Sequence, residues 1–374
     1  MRIAILTFHR AVNCGAMLQA WALKTVLERM GHTVEFPCCN YVGDPSRLHI
    51  LDVSPDLCGL DWIKDFLLSA YCDLKLRGRV GQNVFHEFRR KHFAERKCEP
   101  EDFSKYYDYV IIGSDQVWNP VVAGKWKSVF DGSRITPTVP VMAYAISCGD
   151  DVNQARISEL IPKLKRFVAV STREELLAKM LSNKSERFVD SVLDPTLLLR
   201  ECDYSRLIPT APSTDQYLYL YTLIATPFVI DFARRVARRL NLRLVVTQGA
   251  HEPHPPKREG FDYETGPCEM LSYIANAKYV LAASFHGTAL SLIFKKKFLS
   301  LRSQIDRIPS RPEQLLRAVG CGSHLVNPSI DFEDALRRLD EVVDKQEVLS
   351  EMAVHSIEWI RSNLSKNSFE EKCR

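Results

Sequence analysis

The sequence predicts an α/β fold made of two successive halves, and three observations lead to this prediction. The chain opens with a strand, a turn, a helix and a second strand, which together form one βαβ unit. After residue 215 the alternation of strands and helices begins again. Between residues 195 and 215 the chain contains several Pro, Ser and Thr residues and has weak periodicity, as linkers between domains often do. We therefore expect a first domain over residues 1–200, a second over 201–330, and a helical tail over 331–374 that could pack back on the first domain.

The composition is that of a soluble globular protein with a sizeable core. The 374 residues are enough for two domains of ordinary size, and 46% of them are apolar while 26% are charged. The net charge of +4 is too small to indicate a nucleic-acid partner. Residues 1–7 form an apolar run too short for a signal peptide, and no run approaches the roughly 20 apolar residues that span a bilayer. The expected location is cytoplasmic.

The cysteines and histidines do not predict a metal site. The 11 cysteines are scattered without a Cys-x-x-Cys motif, and the adjacent Cys38 and Cys39 have no partner pair at zinc spacing. His251 and His254 are accompanied by prolines that break any helix able to align them. We expect reduced thiols, no metal and no cofactor.

The first helix and the turn before it are well marked in the sequence. Apolar spacing predicts a helix from about Ala16 to Met30, closed by Gly31. Asn13 and Gly15 lie in the preceding turn, where open parallel sheets keep their ligand crevices. The other elements expected before residue 200 are strands at 2–7, 33–36, 109–113, 139–147, 167–170 and 187–193 and helices at 61–76 and 84–97.

The helical segment 84–97 is strongly basic. It contains Arg89, Arg90, Lys91, His92, Arg96 and Lys97. One interpretation is a patch that faces anionic lipid head groups or a phosphorylated acceptor. The other, which is the commoner origin of such a run, is a solvated helix face.

A polar cluster follows the expected strand at 109–113. Its side chains bring hydroxyl, carboxylate, amide and indole groups to the C-terminal end of the strand, and they belong to Ser114, Asp115, Gln116, Trp118 and Asn119. α/β sheets bind ligands at this end of their strands, and the mixture of groups suits a sugar. The alternative is that Asp115 is an ordinary turn or cap residue.

A second strand end carries an arginine. The strand expected at 167–170 continues into Ser171 and Glu174, whose spacing is that of a capping box, so Arg173 is expected in the first turn of a helix. Early helical turns favour acidic side chains. An arginine there suits a bound anion, although a salt bridge to a nearby Glu explains it as well.

The second half contains a strand–turn–helix segment at 279–294. Tyr279–Ala283 is expected to be a strand, the chain to turn at Gly287, and His286 to lie in the first turn of the following helix. Free N–H groups and the helix dipole favour an anion there, and an imidazole can bind it or transfer a proton. The alternative is that His286 caps the helix or packs beneath a loop. The other expected elements are strands at 217–221, 242–247 and 298–301 and helices at 227–240, 267–276 and 331–362.

Four short motifs together resemble the polysaccharide pyruvyl transferase family. They are Asn13-Cys-Gly-Ala-Met-Leu-Gln19, Gly113-Ser-Asp-Gln-Val-Trp-Asn119, Ser171-Thr-Arg-Glu174 and Ser284-Phe-His-Gly-Thr288, and their order and spacing cover most of the chain before residue 300. The family is similar in architecture to the GT-B glycosyltransferases. The resemblance therefore implies two Rossmann-like domains that face each other across a cleft.

The resemblance also implies a reaction and its partners. The family moves the pyruvyl group of phosphoenolpyruvate onto two hydroxyls of one sugar, which forms a cyclic ketal and releases phosphate. The implied partners are phosphoenolpyruvate, as a substrate, and a hexose-containing surface glycan or lipid-linked oligosaccharide. If the acceptor is lipid-linked, the basic segment 84–97 could lie near the inner face of the membrane.

In this family an Arg at the position of Arg173 and a His at the position of His286 are associated with donor binding, and the resemblance implies the same role for these two residues. A role for Asp115 in acid–base catalysis or in binding an acceptor hydroxyl is our own inference from its position at a strand end. The candidate catalytic residues are His286 and Asp115. The candidate donor-binding residues are Arg173, Ser284, His286, Gly287, Thr288 and Arg307. The candidate acceptor-binding residues are Asn13, Gly15, Gln19, Asp115, Gln116, Trp118 and Asn119.

The chain departs from the family at one position and leaves two alternatives. Some members have Arg where this chain has Ser284, and Arg302 or Arg307 could supply the missing charge. One alternative is a GT-B glycosyltransferase that uses a nucleotide sugar, whose phosphate His286 could bind. The other is a non-catalytic homologue that binds a glycan or an anion.

Overall fold

The computed structural model describes residues 1–39, 82–124, 127–149, 152–209, 216–248, 260–262, 265–302 and 310–370. Three features expected from the sequence lie outside these ranges: the helix at 61–76, the pair His251 and His254, and Arg307.

The first half forms a parallel sheet. Over the described residues it has seven strands in the order β3-β2-β1-β4-β5-β6-β7. The strands are β1 (Arg2–Leu6), β2 (Thr33–Pro37), β3 (Glu95–Arg96), β4 (Tyr109–Ile112), β5 (Val141–Ile146), β6 (Ala169–Thr172) and β7 (Asp190–Ser191). The helices are α1 (Cys14–Arg29), α2 (Gln82–His92), α3 (Pro120–Ala123), α4 (Lys127–Phe130), α5 (Gln154–Leu160), α6 (Glu175–Lys184) and α7 (Glu201–Tyr204).

The second half forms another parallel sheet. Its described strands lie in the order β10-β9-β8-β11-β12-β13, which is again the doubly wound order of a Rossmann-like domain. They are β8 (Tyr217–Thr222), β9 (Arg243–Gln248), β10 (Phe261–Asp262), β11 (Tyr279–Ala283), β12 (Phe298–Leu301) and β13 (Leu325–Val326). The helices are α8 (Pro227–Leu240), α9 (Pro267–Asn276), α10 (Phe285–Ile293), α11 (Arg311–Ala318), α12 (Phe332–Leu339) and α13 (Gln346–Glu370).

The strands build the core by sending alternate side chains to opposite faces. Ile3 and Ile5 belong to one core cluster that continues into the second half, where it includes Tyr219. Ala4 and Leu6, from the same strand, belong to a separate cluster on the other face of the first sheet. The shared cluster is continuous because helices of the two halves pack together, among them α1 and α9. Two parallel sheets, each in Rossmann-like order and joined through helices, agree with the expected GT-B-like architecture. The predicted fold class is therefore confirmed, whereas the domain limits at residues 200 and 330 stay predictions.

Helix α13 packs on the first half of the chain. The Leu193 N–H donates to Ser356 Oγ at 3.0 Å, and the rings of Tyr144 and Trp359 lie 5.9 Å apart. The Tyr109 hydroxyl donates to the carbonyl of Asn363 at 3.4 Å. Each contact pairs a residue before 200 with a residue of the last described helix. No helix within the described ranges combines the length and the apolar character needed to cross a membrane.

Two predicted elements of the first half are wrong in extent. The basic helix ends at His92, and Arg96 lies in strand β3, where its guanidinium pairs with Glu35. Arg89 is buried, while Arg90 and Lys91 are exposed, so the basic run does not form one continuous face. The strand expected at 187–193 is reduced to Asp190–Ser191, because only these two residues pair with the neighbouring strand β6.

Candidate active site

The candidate site lies where strand ends of the two sheets meet. Asp115 follows β4, Arg173 follows β6, Asp194 follows β7, and His286 follows β11. The carboxyl ends of parallel strands in a doubly wound sheet are the usual location of ligand sites. The fold therefore brings together three residues that the sequence singled out and one that it did not.

Asp194 connects the two halves of the site. It is fully buried, and its Oδ2 accepts hydrogen bonds from Arg173 Nη1 at 2.7 Å and from Ser114 Oγ at 3.2 Å. Its Oδ1 accepts from the Thr196 amide at 3.0 Å and hydroxyl at 2.7 Å. His286 Nε2 from the second half lies 3.7 Å from Oδ2, which is an ion-pair distance rather than a hydrogen bond.

The electrostatics of Asp194 follow from these neighbours. Burial alone would raise its pKa, but the interactions with His286 and Arg173 and the Thr196 hydroxyl outweigh burial and hold the pKa far below its usual range. Asp194 is therefore a permanent anion at neutral pH. It can hold Arg173 and His286 in place without itself exchanging a proton.

Arg173 is surrounded by carboxylates. Besides Asp194, its Nε donates to Glu174 Oε1 at 3.3 Å, and its Nη2 lies 3.7 Å from Asp115 Oδ1. Its guanidinium also stacks on the ring of Phe285, at 4.3 Å from the ring centre. Burial would lower the pKa of Arg173, but these carboxylates outweigh burial and raise it. The guanidinium stays charged although its side chain is only 3% exposed.

The position of Arg173 differs from the prediction. Helix α6 begins at Glu175, and Ser171 is the third residue of strand β6, where its hydroxyl bonds to the backbone of β5. The capping box that Ser171 and Glu174 suggested is therefore absent, and Arg173 lies in the turn before the helix. Its side chain contacts the buried cluster instead of lying on an exposed helical turn. Both alternatives left open by the sequence remain, since Arg173 forms salt bridges and also borders the site.

His286 lies in the first turn of α10, as predicted. Ser284 caps this helix by accepting a hydrogen bond from the Gly287 amide at 3.0 Å. Gly287 is therefore helical, and the expected turn at this residue is wrong. Gly15, in the first turn of α1, faces the imidazole so closely that an added Cβ would lie 2.2 Å from His286 Nδ1.

Glu174 is a second buried carboxylate of a different kind. Burial raises its pKa, and the charge of Arg173, the Ser147 hydroxyl and the charge of Arg311 only partly offset this effect. Its Oε1 accepts a hydrogen bond from Ser147 at 2.7 Å. Glu174 is therefore easier to protonate than Asp194, although both contact Arg173.

Several buried polar atoms of the cluster are left without protein partners. Among the residues that the structure describes, Arg173 Nη2, Glu174 Oε2 and His286 Nε2 have no hydrogen-bond partner. Buried polar groups are nearly always paired, so unpaired groups in one cluster mark a place for ligand atoms. This observation is independent of the sequence motifs.

Asp115 and Tyr221 are two further residues of the site, one from each half of the chain. Asp115 has a positive φ of 77°, an uncommon conformation for a residue with a Cβ, and its backbone carbonyl accepts from the Val117 and Ser147 amides. Tyr221 at the end of β8 is buried. Burial and the nearby Cys14 and Asp115 raise its pKa well above the usual value, and the amide of Gly15 opposes this shift. Its hydroxyl therefore stays protonated and can donate a hydrogen bond.

Most of the other proposed acceptor residues make hydrogen bonds within the protein that support the fold. Asn13 caps α1 by accepting from the Ala16 amide at 3.1 Å, and buried Gln19 donates to Thr7 Oγ1 at 2.8 Å. Trp118 donates its indole N–H to the carbonyl of Phe130 at 3.1 Å, and it lies in the core. The indole N–H is therefore already bonded within the fold, and a role of Trp118 in binding the acceptor stays a prediction.

Gln116 and Asn119 lie at the edge of the cleft. Asn119 caps α3 by accepting from the Val121 amide at 3.0 Å. With its amide oxygen turned toward Arg311, Gln116 accepts from both Nη atoms of that residue, at 3.0 and 3.3 Å. Gln116 therefore links the first half to α11 of the second.

Thr288 and Arg302 are bonded within the fold, whereas Arg311 lies near the site. The Thr288 hydroxyl is fully buried and bonds to the Ser284 carbonyl and to Ser300 Oγ, both at 2.9 Å, so it supports the helix start rather than the cleft. Arg302, expected to replace a missing charge, forms an ion pair with Glu313. Arg311, at the start of α11, is a described cation that lies near Glu174 and Gln116.

A crevice of about 960 Å³ leads away from the cluster between α6, α11 and α13. Its inner end is formed by Arg173, Asp194 and Arg311, and its walls include Leu176, Leu315 and Met352. Its volume is within the range of small-molecule sites.

Sequence reasoning missed Asp194, Arg311, Tyr221 and Glu174 as site residues. Asp194 lies directly before the linker expected at 195–215 and drew no functional prediction. The one available signal was its place at the end of an expected strand, the criterion that identified Asp115 and Arg173. Tyr221 is the last residue of the strand expected at 217–221, so the same signal was available for it, whereas Arg311 carries no local signal.

The site can bind an anion and move protons. Arg173, Arg311 and the first turn of α10 offer positive charge, and His286 and Glu174 are titratable groups beside them. Asp115 can accept a proton or a hydrogen bond from a hydroxyl.

Solved structures show similarity to this chain in fold. A putative UDP-N-acetylglucosamine 2-epimerase from Listeria monocytogenes is 12% identical, with a TM-score of 0.53 over 99% of this chain and 96% of that one. The UDP-GlcNAc 2-epimerase from Neisseria meningitidis, bound to UDP-GlcNAc, is 10% identical, with a TM-score of 0.50 over 98% and 100%. An alpha-glucosyltransferase in complex with UDP-glucose and DNA containing an abasic site is 10% identical, with a TM-score of 0.50 over 95% and 92%. At such low identity these likenesses concern the fold alone.

The sequence comparison identifies the family. No curated protein matches the chain. The model of a family described as polysaccharide pyruvyl transferase matches residues 13–304, which is more than three quarters of the 374 residues. This span contains the four motifs and the Arg173, Asp194 and His286 cluster. The chain therefore belongs to the polysaccharide pyruvyl transferase family.

Proposed function

We propose that this protein transfers the pyruvyl group of phosphoenolpyruvate to two hydroxyls of a hexose, in a surface glycan or its lipid-linked precursor. The observation that carries the proposal is the meeting of Arg173 and His286 at one buried carboxylate, Asp194, at 2.7 and 3.7 Å. The two residues come from different sheets and from two different family motifs. The reaction needs cations for an anionic donor and a group that moves a proton, and this cluster contains both.

The proposed chemistry starts at C3 of the donor. His286, in its protonated form, gives a proton to C3, and positive charge develops at C2. One sugar hydroxyl attacks C2, the bond from C2 to the phosphate oxygen then breaks, and the second hydroxyl closes the ring. The two protons released by the hydroxyls balance the proton added to C3 and the proton that converts the leaving phosphate to hydrogen phosphate. No metal or cofactor is required by this scheme.

The proposed residue roles follow the contacts of the cluster. Arg173 Nη2 and Arg311 bind the donor phosphate and carboxylate, together with the amides of the first turn of α10. Asp115 accepts the proton of an attacking hydroxyl. Asp194 is a positioning residue, because its anionic carboxylate holds Arg173 and orients His286.

The acceptor is proposed to reach the cluster through the crevice between α6, α11 and α13. The crevice has room for sugar units. Its apolar walls suit apolar groups of an acceptor, and Arg173 and Arg311, which line it together with the carboxylates of Glu174 and Asp194, could bind an acceptor phosphate. A contact between exposed Arg90 and Lys91 and the inner membrane face remains a proposal that accompanies a lipid-linked acceptor.

The test is a reaction in D2O with phosphoenolpyruvate and a panel of galactose, N-acetylmannosamine and their phosphorylated forms. Phosphate release together with a pyruvate ketal that carries one deuterium in its methyl group would support the proposal. His286→Ala and Arg173→Ala should abolish both products, whereas Arg337→Ala, at an exposed position of α12, should not. Saturable binding of a sugar nucleotide without binding of phosphoenolpyruvate would instead indicate a glycosyltransferase. Binding of phosphoenolpyruvate without turnover on any acceptor would indicate a non-catalytic homologue.

A further inference from the structure

Three residues with metal-binding side chains meet at an edge of the first sheet, and the proposed reaction uses none of them. His9 follows β1, Cys38 follows β2, and Glu95 opens β3. These strands are neighbours in the order β3-β2-β1. One imidazole nitrogen, the thiol sulfur and one carboxylate oxygen all lie within 4.8 Å of one another.

The ring of His9 is held in a defined orientation. Its side chain is 1% exposed, and it packs against Phe36 and Phe93, with ring centres 4.9 and 6.2 Å away. Its Nδ1 lies 3.1 Å from the carbonyl oxygen of Thr7. A carbonyl oxygen can only accept, so Nδ1 carries the proton. This is how metal-binding histidines are usually oriented by their second nitrogen.

The opposite nitrogen faces the other two groups. His9 Nε2 lies 3.5 Å from Glu95 Oε1. With the proton on Nδ1, the lone pair of Nε2 is available to bind a metal ion. The Glu95 oxygen and the Cys38 sulfur lie close enough to bind the same ion. Arg10, whose Nε lies 3.6 Å from the same Glu95 oxygen, already supplies part of the positive charge with which a metal must compete.

We propose that His9, Cys38 and Glu95 form a binding site for Zn²⁺. Imidazole, thiolate and carboxylate are all zinc ligands, and bonds of about 2.0–2.3 Å in a tetrahedral site place ligand atoms roughly 3.3–3.8 Å apart. The histidine–glutamate distance already lies in this range, and the thiol must approach the other two ligand atoms by no more than about 1.5 Å. Within the described part of the chain the site has three protein ligands, and a tetrahedral ion takes a fourth ligand such as water. It joins the ends of three neighbouring strands.

The sequence could not predict this site. Zinc sites are recognised by short ligand spacings, whereas these ligands are residues 9, 38 and 95 and only the order of the strands brings them together. The expectation of no metal was based on spacing alone. The proposal does not depend on the pyruvyl transfer reaction.

The test uses Co²⁺ as a spectroscopic probe for the full-length protein after treatment with a chelator. We expect one equivalent of Co²⁺ to give an intense near-ultraviolet band from thiolate-to-metal charge transfer, and Zn²⁺ to displace it. Cys38→Ser should remove this band, and His9→Gln should weaken binding of Zn²⁺ at least tenfold in a calorimetric titration. Cys39→Ser, at the adjacent buried cysteine, is the matched control and should keep the band.

Circular dichroism of each variant separates loss of the site from loss of the fold. The wild-type protein provides the measurement that does not depend on any variant. If it binds neither Zn²⁺ nor Co²⁺ at micromolar concentration, the proposal is wrong. A charge-transfer band that survives Cys38→Ser, or that disappears in Cys39→Ser alone, would also overturn it.

Discussion

Gly15 and His286 are in direct contact across the cleft, and no side chain larger than hydrogen fits between them. An added Cβ on Gly15 would lie 2.2 Å from His286 Nδ1 and 2.4 Å from Cγ of the same ring. The first turn of α1 therefore determines where the imidazole of α10 lies. The glycine of the first motif and the histidine of the fourth form one structural unit.

This contact predicts a specific effect of Gly15→Ala. Alanine should favour helix α1 by up to about 1 kcal/mol, but the imidazole must move aside. We expect the affinity for phosphoenolpyruvate or the rate of transfer to fall about 10- to 100-fold, because catalysis is sensitive to small displacements of reacting groups. Calorimetric titration and a phosphate-release assay measure these effects. Gly322→Ala, which meets no atom closer than 3.9 Å, is the control, and equal effects of the two substitutions would contradict the prediction.

Asp194→Asn should destabilise the protein strongly. It removes the carboxylate that pairs with buried Arg173, and breaking a buried ion pair typically costs about 3–5 kcal/mol. Urea unfolding at pH 7 measures the loss. Asp344→Asn, which removes an exposed pair with Lys295, should cost less than about 1 kcal/mol.

The difference in unfolding free energy between the wild type and Asp194→Asn should also depend on pH. The pKa of Asp194 is depressed in the folded protein, so its contribution is fully present above the unfolded pKa of about 3.9 and is lost as the pH falls toward the folded pKa. The gap in unfolding free energy should therefore be constant from pH 8 to pH 5 and narrow below about pH 4. A gap that is unchanged at pH 3 would contradict the depressed pKa.

Glu174 should take up a proton when phosphoenolpyruvate binds. Burial already raises its pKa, and an added anion near Arg173 raises it further. Titrations in two buffers with different enthalpies of ionisation measure the number of protons exchanged. We expect net uptake by the wild type and a smaller uptake by Glu174→Gln. Identical proton uptake by the two proteins would exclude Glu174 as the group that titrates.

Arg311 should supply the positive charge that Ser284 does not. Arg311→Gln removes a charged donor near Glu174 and Gln116, and the loss of one such interaction is worth about 1.5–3 kcal/mol, or roughly 10- to 150-fold in affinity for the donor. Arg337→Gln, at an exposed position of α12, should leave the affinity unchanged. If both variants bind phosphoenolpyruvate like the wild type, Arg311 is not a donor ligand.

The elements that the sequence predicted well are those with strong local patterns. Strand Tyr279–Ala283 and helix Pro227–Leu240 are confirmed to the residue, because apolar periodicity, a proline at the helix start and a closing residue mark their ends. The prediction failed where local patterns compete with tertiary contacts. Ser171 has capping-box spacing, but its hydroxyl bonds to the neighbouring strand β5.

The candidate site was predicted in part for the same reason. Arg173 and His286 were identified by their positions at strand ends and by the family motifs. Asp194, which joins them, was not predicted because its partners are distant in sequence: Arg173 by 21 residues and Ser114 by 80. A short sequence window contains no information about such a contact.

The packing of helix α13 has a consequence for the order in which the chain folds during synthesis. The contacts of Tyr109, Tyr144 and Leu193 with Asn363, Trp359 and Ser356 cannot form until residues 346–370 have left the ribosome. The first sheet therefore lacks the covering helix α13 while the second sheet is being translated. A nascent chain of this kind exposes apolar surface for longer than a protein in which each domain folds as soon as it has been synthesised. Its yield in the cell should therefore depend on chaperones that hold unfinished chains.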